Sequence, residues 1–488
     1  MVLLTGTDCS CFREISDLWI MKITFYGAAQ NVTGSKHLID TQGYKILLDC
    51  GLHQGRRAEV APLNKEFAFA AQDVNAVILS HGHADHCGML PVLVKQGFRG
   101  NIYATPATCE VASYILQDSA KIQEQDANYF NDHLPLGEDP IAPLYTTEDA
   151  EAVAQHFAPT PYFWHSKEWT RLSDRVRFKL YDAGHILGSS IILLEITEDG
   201  VTKTVAFTGD LGHTNTPILR DPEIISEPVD VLLSECTYGN RTHSSLEDAK
   251  DKLEHVVKIA VEHKSKIVVP AFSLGRTQEL TYILHQLTDA RRIPRLPIYI
   301  DSPLATKMTG VFGRHTEEYD AESWRDFSEV GEEPLEFRNL LYTESIEDSK
   351  RLNSLPGPVM IISASGMCEG GRVLHHLKNN IEDPNAIIMF TGYQGVGTLG
   401  RKIIEGVSPV RIFGQYFSVN AHIVKFNEFS AHADQNQLLS YITSLHALKQ
   451  IYLVHTEEDQ ATTFAPLLKE KLPTAHITVP KYNDSFEL

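Results

Sequence analysis

Short apolar runs separated by polar, glycine-bearing turns dominate this chain, and their rhythm changes partway along it. Residues 22–26 alternate polar and apolar positions and stop at Gly27, the period-two pattern of a half-buried strand. Residues 37–40 and 44–48 flank Thr41-Gln42-Gly43, which predicts a hairpin. A helical repeat over 107–131 predicts a long amphipathic helix, followed over 132–143 by a loop rich in Pro, Gly and acids. Strands are predicted again at 175–180 and 190–196. From Leu246 a second rhythm begins: apolar strands at 265–270, 296–300, 359–363 and 386–391, with a helix at 276–287. Continuous apolar strands alternating with helices indicate a parallel sheet covered on both faces. Beyond about residue 415 strands and helices return, now with histidine motifs. Metal-type motifs at both ends, with a different αβ unit between, predict an inserted domain. The expected division is 21–239, an insertion at 240–414, and a closing part at 415–488. Residues 1–20 read as a poorly ordered N-terminal extension, unlike a signal peptide.

The bulk composition narrows the classes. A chain of 488 residues is long enough for two or three domains. Its 63 acidic against 43 basic side chains give a net charge of −20 and exclude a protein coated in basic surface. A local basic channel or bound cations would still receive phosphates. No apolar run reaches the ~18 residues of a membrane span, so no membrane association is expected. The seven cysteines are odd in number and scattered, which points to a reducing, cytoplasmic setting.

The chemistry concentrates in His81-Gly82-His83-Ala84-Asp85-His86, directly after the apolar run 75–80. Neutral imidazole and carboxylate are the donors that suit zinc and similar ions. Four donors in so short a stretch fit one ion poorly and two adjacent ions well. His81 and His83 alternate and project together from an extended segment, while Asp85 and His86 start a turn or helix. Asp49, His185, Asp210 and His455 each sit at or just beyond the carboxyl end of an apolar strand, where ligands converge in layered αβ proteins.

With these residues the chain resembles the metallo-β-lactamase superfamily, and more closely its β-CASP nucleic-acid-processing branch. Asp49, the His81–His86 stretch, His185 and Asp210 match the superfamily's four motifs in order. Glu235 in Ser234-Glu-Cys-Thr-Tyr-Gly239, His432 in Phe429-Ser-Ala-His-Ala-Asp434, and His455 resemble the β-CASP motifs A, B and C. Pro270-Ala-Phe-Ser-Leu-Gly-Arg276, Asp301-Ser-Pro-Leu-Ala305, Ser363-Ala-Ser-Gly-Met367 and the glycine-rich stretch from Thr391 to Thr398 resemble its cassette. Bacterial relatives of the cleavage-and-polyadenylation endonuclease are the nearest pattern. The resemblance implies an α/β fold: a four-layer αβ/βα sandwich with an inserted α/β β-CASP domain. It implies two zinc ions, with manganese as the alternative. His81, His83, His185 and Asp210 would hold one; Asp85, His86, Asp210 and His455 the other. Asp49 would support the ligands and the nucleophile. Thr456 stands where relatives often carry glycine, so the turn that presents His455 departs from the pattern.

The implied activity is metal-dependent hydrolysis of RNA phosphodiester bonds, internally or from the 5′ end, leaving 5′-phosphate and 3′-hydroxyl ends. His432 is the candidate general acid, oriented by Glu235. Ser363, Ser365 and Gly366 follow a strand in a turn suited to cradling phosphate, and Arg276 and Arg372 are candidate contacts to the RNA backbone. The expected partner is single-stranded RNA; the resemblance also admits a homodimer. Three alternatives compete: a DNA-directed β-CASP nuclease, a small-molecule metallohydrolase, and an inactive RNA-binding scaffold. His455 argues against the first, because the DNA branch has an aliphatic residue there. The large cassette argues against the second, and the full ligand set against the third.

Overall fold

The computed structural model describes residues 21–55, 57–134, 139–330, 335–392, 394–395, 397–426 and 429–488. The expected extension at 1–20, and part of the acidic loop at 132–143, lie outside these residues.

Two seven-stranded sheets carry the first and last parts of the chain. One runs Ser485–Glu487, Lys22–Phe25, His37–Thr41, Tyr44–Leu48, Val74–Ile78, Asn101–Ala104 and Phe157–Pro159. The other runs His476–Thr478, Gln450–Val454, Val231–Glu235, Val201–Phe207, Ser190–Glu198, Val176–Asp182 and Thr170–Arg171. Alternating residues of each strand serve different layers. Ile23, Phe25, Ile46, Leu48 and Ile78 of the first sheet meet Phe178, Ile192, Leu194, Phe207 and Leu233 of the second in a shared inner core. Leu47, Val77 and Ile102 turn outward onto the helices Leu90–Lys95 and Pro106–Asp132. Leu193, Leu232 and Leu453 turn outward onto Gln435–Ser444 and Glu458–Lys471. The result is a four-layer αβ/βα sandwich, and burial on both faces explains why these strands read as apolar runs.

A third, six-stranded sheet is parallel throughout, ordered Leu340–Tyr342, Ile298–Asp301, Val359–Ser363, Lys266–Pro270, Ile387–Phe390 and His422–Lys425. The helices Leu246–His263 and Arg276–Asp289 pack on one face, and Val373–Asn380 and Leu399–Ile404 on the other. Ser245 and Asp248 form a reciprocal capping box that starts the first of these helices. The edge strand His422–Lys425 belongs to this sheet, so the chain leaves it after residue 425 rather than at 415. That strand is short and only half-buried, which hid it from a search for apolar runs. No helix among the described residues is long and apolar enough to cross a membrane.

Candidate metal centre

Strands Tyr44–Leu48 and Val74–Ile78 of one sheet run parallel, as do Val201–Phe207, Val231–Glu235 and Gln450–Val454 of the other, and the candidate donors gather where these strands end. Asp49 follows strand Tyr44–Leu48 with φ +58°. His455 follows Gln450–Val454 with φ +48°. This left-handed backbone turns each side chain out of its strand direction and across the edge. His83 stands at the start of the short helix Ala84–Cys87, so Asp85 and His86 leave the extended His81–His83 segment at a new angle. His432 arrives from far along the chain by strand-like pairing. The Ala433 N–H donates to the Leu211 carbonyl at 2.8 Å, and the His213 N–H to the Ala431 carbonyl at 3.2 Å. Gly212 also donates to the Ala183 carbonyl at 2.7 Å, which ties the Asp210 and His185 loops together. A Cβ on Gly212 would fall 2.0 Å from the Gly184 carbonyl oxygen, so this approach requires glycine.

Two donor sets result. In the first, His83 Nδ1 lies 3.2 Å from His81 Nε2 and 3.3 Å from His185 Nε2. Asp210 Oδ2 lies 3.4 Å from His81 Nε2 and 3.5 Å from His185 Nε2. Donors ~2.0–2.1 Å from a tetrahedral ion stand about 3.3 Å from one another, so these spacings match a pocket for one tetrahedral metal ion. In the second, His86 Nε2 lies 3.3 Å from Asp210 Oδ1, and His455 Nε2 lies 3.4 Å from Asp85 Oδ2 and 3.7 Å from Asp210 Oδ1. Asp210 therefore offers one oxygen to each set. His86 Nε2 and Asp210 Oδ1 are buried without a hydrogen-bond partner, the orphaned pair a cation would satisfy.

The remote nitrogens fix the tautomers. Ser80 Oγ donates to Asp49 at 2.9 Å, so toward His81 Nδ1 at 3.1 Å it accepts. His86 Nδ1–H donates to Asp49 Oδ2 at 2.7 Å, and His185 Nδ1–H to the Ala431 carbonyl at 3.1 Å. Thr237 Oγ1 donates to the His455 carbonyl at 3.2 Å and accepts from His455 Nδ1 at 2.9 Å. Four imidazoles thus aim Nε2 into the centre, the arrangement that outer hydrogen bonds impose on metal-binding histidines. Asp49 also accepts the Ser80 N–H at 2.7 Å and Ser35 Oγ at 3.2 Å.

The electrostatics agree. Burial, reinforced by His86, holds His81 well below the ordinary histidine range; burial holds His83 down at about 4; burial and His432 depress His185. All three keep their lone pairs free at neutral pH. Burial would depress His86 too, but Asp210, Asp49 and Asp85 outweigh it and raise its pKa. In that nest of carboxylates the proton occupies the place a cation would take.

Beside the donors, His432 Nδ1–H donates to Glu235 Oε1 at 3.0 Å, and His432 Nε2 stands 4.0 Å from Asp210 Oδ2. Glu235 is fully buried and accepts the Leu211 N–H at 2.6 Å and the Thr237 N–H at 3.2 Å. Burial works against protonation of His432, yet Glu235 and Asp210 raise its pKa to about 9. A partly exposed imidazolium beside the donors carries a proton that it can give up.

None of the phosphate and RNA candidates belongs to either donor set, although Arg276 lies over the Phe429 ring, three residues before His432. Ser363 is buried and donates to the Asp301 carbonyl at 2.9 Å; Ser365 Oγ accepts the Glu369 N–H at 3.1 Å; Gly366 packs on Phe272. Arg276 is buried against Glu279, and Arg372 donates to Asp301 Oδ1 at 2.7 Å. Both guanidiniums are held by internal carboxylates. The supporting side chains Ser35, Ser80 and Thr237 escaped sequence reasoning. Their only signal is position, Ser80 just before the histidine stretch and Thr237 two residues after Glu235.

Comparison with known proteins places this geometry. Residues 34–259 match the metallo-beta-lactamase superfamily, 277–403 the Beta-Casp domain, and 416–480 the Zn-dependent metallo-hydrolase RNA specificity domain. Ribonuclease TTHA0252 of Thermus thermophilus is 35% identical over 92% of this chain and 96% of its own length. The RNase J-like protein of Methanocaldococcus jannaschii is 29% identical over 93% of this chain and 97% of its own. Transcription termination factor FttA of Methanosarcina mazei is 29% identical over 93% of this chain and 70% of its own. A crystal structure of an Enterococcus faecalis protein of unknown function shares the fold, with a TM-score of 0.52 and 14% identity over 96% of this chain and 100% of that one. The four-layer sandwich, the inserted parallel sheet and these matches together make the chain a member of the metallo-β-lactamase superfamily, in its β-CASP ribonuclease branch, and a metal-dependent hydrolase.

Proposed function

We propose that the protein is a ribonuclease that hydrolyses phosphodiester bonds of single-stranded RNA, with two zinc ions as its cofactor and manganese as the alternative. His81, His83, His185 and Asp210 would hold one ion, and Asp85, His86, His455 and Asp210 the other. When bound, such a pair of ions supplies a hydroxide nucleophile at neutral pH and neutralises phosphate charge. The chain's own residues supply the rest. Asp210 spans both pockets with its two oxygens, and Asp49 holds His86 and Ser80 in place. His432, kept protonated by Glu235, gives its Nε2 proton to the departing sugar oxygen, so that the products carry 5′-phosphate and 3′-hydroxyl ends.

The observation that carries this reading is the position of His432 Nε2, 4.0 Å from the Asp210 oxygen shared with the tetrahedral pocket, with its other nitrogen anchored on a buried carboxylate. A metal-binding scaffold without chemistry has no use for an imidazolium held there. The RNA-specificity match over 416–480 and the ribonuclease relatives favour RNA over DNA.

The test is cleavage of a short 5′-labelled single-stranded RNA and its DNA counterpart, with metals, with chelator, and with Asp210→Ala. Metal-dependent cutting of RNA alone supports the proposal. Release of labelled mononucleotide marks attack from the 5′ end, and longer labelled fragments mark internal cutting. Preferential cutting of DNA, or binding of RNA without cleavage by the metal-loaded protein, overturns it.

A further inference from the structure

The loop that carries His185 is held by the inserted unit as well as by the sandwich. Its geometry depends on the Gly188 peptide. The Gly188 carbonyl accepts from Thr105 Oγ1 and from Thr108 Oγ1, each at 2.7 Å, both on the sandwich. The Gly188 N–H donates to Glu318 Oε2 at 2.6 Å, across 130 residues of sequence. Gly188 has φ +83°, and a Cβ there would lie 2.5 Å from the Thr108 nitrogen, so the peptide is clasped closely on both sides. The next residue transmits the clasp: Ser189 Oγ accepts the N–H of His185 at 3.0 Å and of Ile186 at 3.2 Å. Tyr162 OH donates to the Ser189 carbonyl at 2.9 Å and lies 3.5 Å from Glu318 Oε2.

Glu318 belongs to the turn Thr316–Glu318 of the inserted segment and is only 4% exposed. The surrounding seam is apolar: Ile186 and Leu187 pack with Leu274, Phe312 and Tyr319. Beside it the Asp320 N–H donates to the Ile218 carbonyl at 2.8 Å. A buried carboxyl in an apolar seam is costly and persists where it has a partner to satisfy. Here the close partner is one N–H of the His185 loop, with the Tyr162 hydroxyl at the edge of reach. Burial first, and Asp182 second, raise the Glu318 carboxyl well above its usual range, so its isosteric substitute is glutamine.

We propose that Glu318 is a positioning residue through which the inserted domain fixes the His185 loop, so that the affinity of the first metal pocket depends on the seam between the two domains. This rests on reading His81, His83, His185 and Asp210 as that pocket. Hydrogen-bond partners of metal-ligand side chains typically contribute 10–100-fold in metal affinity, and the Glu318 clasp acts on the backbone of the loop that carries one such ligand.

The experiment is zinc and cobalt titration of the full-length protein and of four variants, with the cobalt absorption spectrum as a readout separate from activity. Glu318→Ala should bind the first ion about 10–100-fold more weakly, with an altered cobalt spectrum. Glu318→Asp, which keeps the acid but is one methylene too short, should behave likewise. Glu318→Gln, which keeps the acceptor, should stay close to wild type. Asp301→Asn, in the same domain and with its side chain bonded to Thr343, Ser349, Arg372 and His376 rather than to the His185 loop, should keep wild-type zinc affinity and so controls for general destabilisation. Unchanged affinity and spectrum in Glu318→Ala and Glu318→Asp, with two ions in the wild type, would overturn the positioning role alone. Glutamine as damaging as alanine would overturn it as well. A wild type that binds no ion would sink the metal reading and this inference with it.

Discussion

Glu235 and His432 lie 197 residues apart in sequence, yet their side chains meet at 3.0 Å, carboxylate oxygen to imidazole Nδ1. The pairing sets both the direction and the charge of the imidazole. Neither residue belongs to the two donor sets, and with Asp210 they form a further cluster beside them.

Replacing His432 with Ala should therefore leave bound metal unchanged and lower kcat by roughly 10²–10⁴-fold. Glu235→Gln tests the charge. A general acid works below its pKa and fails above it, and the Glu235 anion is the chief cause of the rise to about 9. Nearby bound cations would bring that value down. Removing the anion lowers it further, so the alkaline limb of the kcat profile should move to lower pH. A limb that does not move would show that another group donates the proton.

Asp49 accepts four hydrogen bonds, from Ser35, from both the N–H and the hydroxyl of Ser80, and from His86. Asp49→Asn keeps the size but loses the charge and puts an amide donor against donors. Metal affinity should fall by about 10–100-fold, read by competition with a chelator.

Gly212 sits where the Asp210, His185 and His432 segments touch. Gly212→Ala places a methyl against the Gly184 carbonyl and should cost roughly 1–3 kcal/mol of stability. The separation forced on the His185 and Asp210 loops should also weaken the first metal pocket. Thermal unfolding of the metal-free protein isolates the first effect, and zinc stoichiometry reads the second.

In the third sheet Asp301 is fully buried and receives His376 Nε2 at 2.6 Å, Arg372 at 2.7 Å and Ser349 at 2.6 Å. Burial alone would raise its pKa, but these donors outweigh burial and depress it. A depressed carboxyl contributes stability that is present above its unfolded value of ~3.9 and fades as pH falls toward the folded value. Asp301→Asn should cost on the order of 3 kcal/mol at neutral pH. The gap to wild type should narrow below about pH 4, measured by denaturant unfolding across the acid range. A gap independent of pH would mean that packing, not charge, holds this cluster.

Much of this molecule was legible in its sequence, for physical reasons that differ by element. Donors at strand ends are readable because a strand delivers its last residue to a fixed edge, and Asp49, Asp210 and His455 follow that rule. The His81–His86 stretch is readable because its donors are contiguous. The departure at Thr456 has a local answer: its hydroxyl donates to the Cys236 carbonyl at 3.1 Å, while His455 itself adopts the left-handed turn. Other features were hidden. Arg372 meets Asp301 across 71 residues, and Glu318 meets Gly188 across 130; neither pairing leaves a local pattern. The edge strand His422–Lys425 was hidden because its surroundings, not its composition, make it a strand.

The order in which the chain supplies its parts has a consequence for synthesis. His81, His83, His185 and Asp210 all emerge before the insertion, whereas His432 and His455 come after it. A nascent chain stalled within the third sheet carries the first four donors but lacks His432, His455 and the Ala431 carbonyl that orients His185. The candidate centre is thus finished only when the closing part of the chain docks on the sandwich, which ties assembly of the site to completion of the fold.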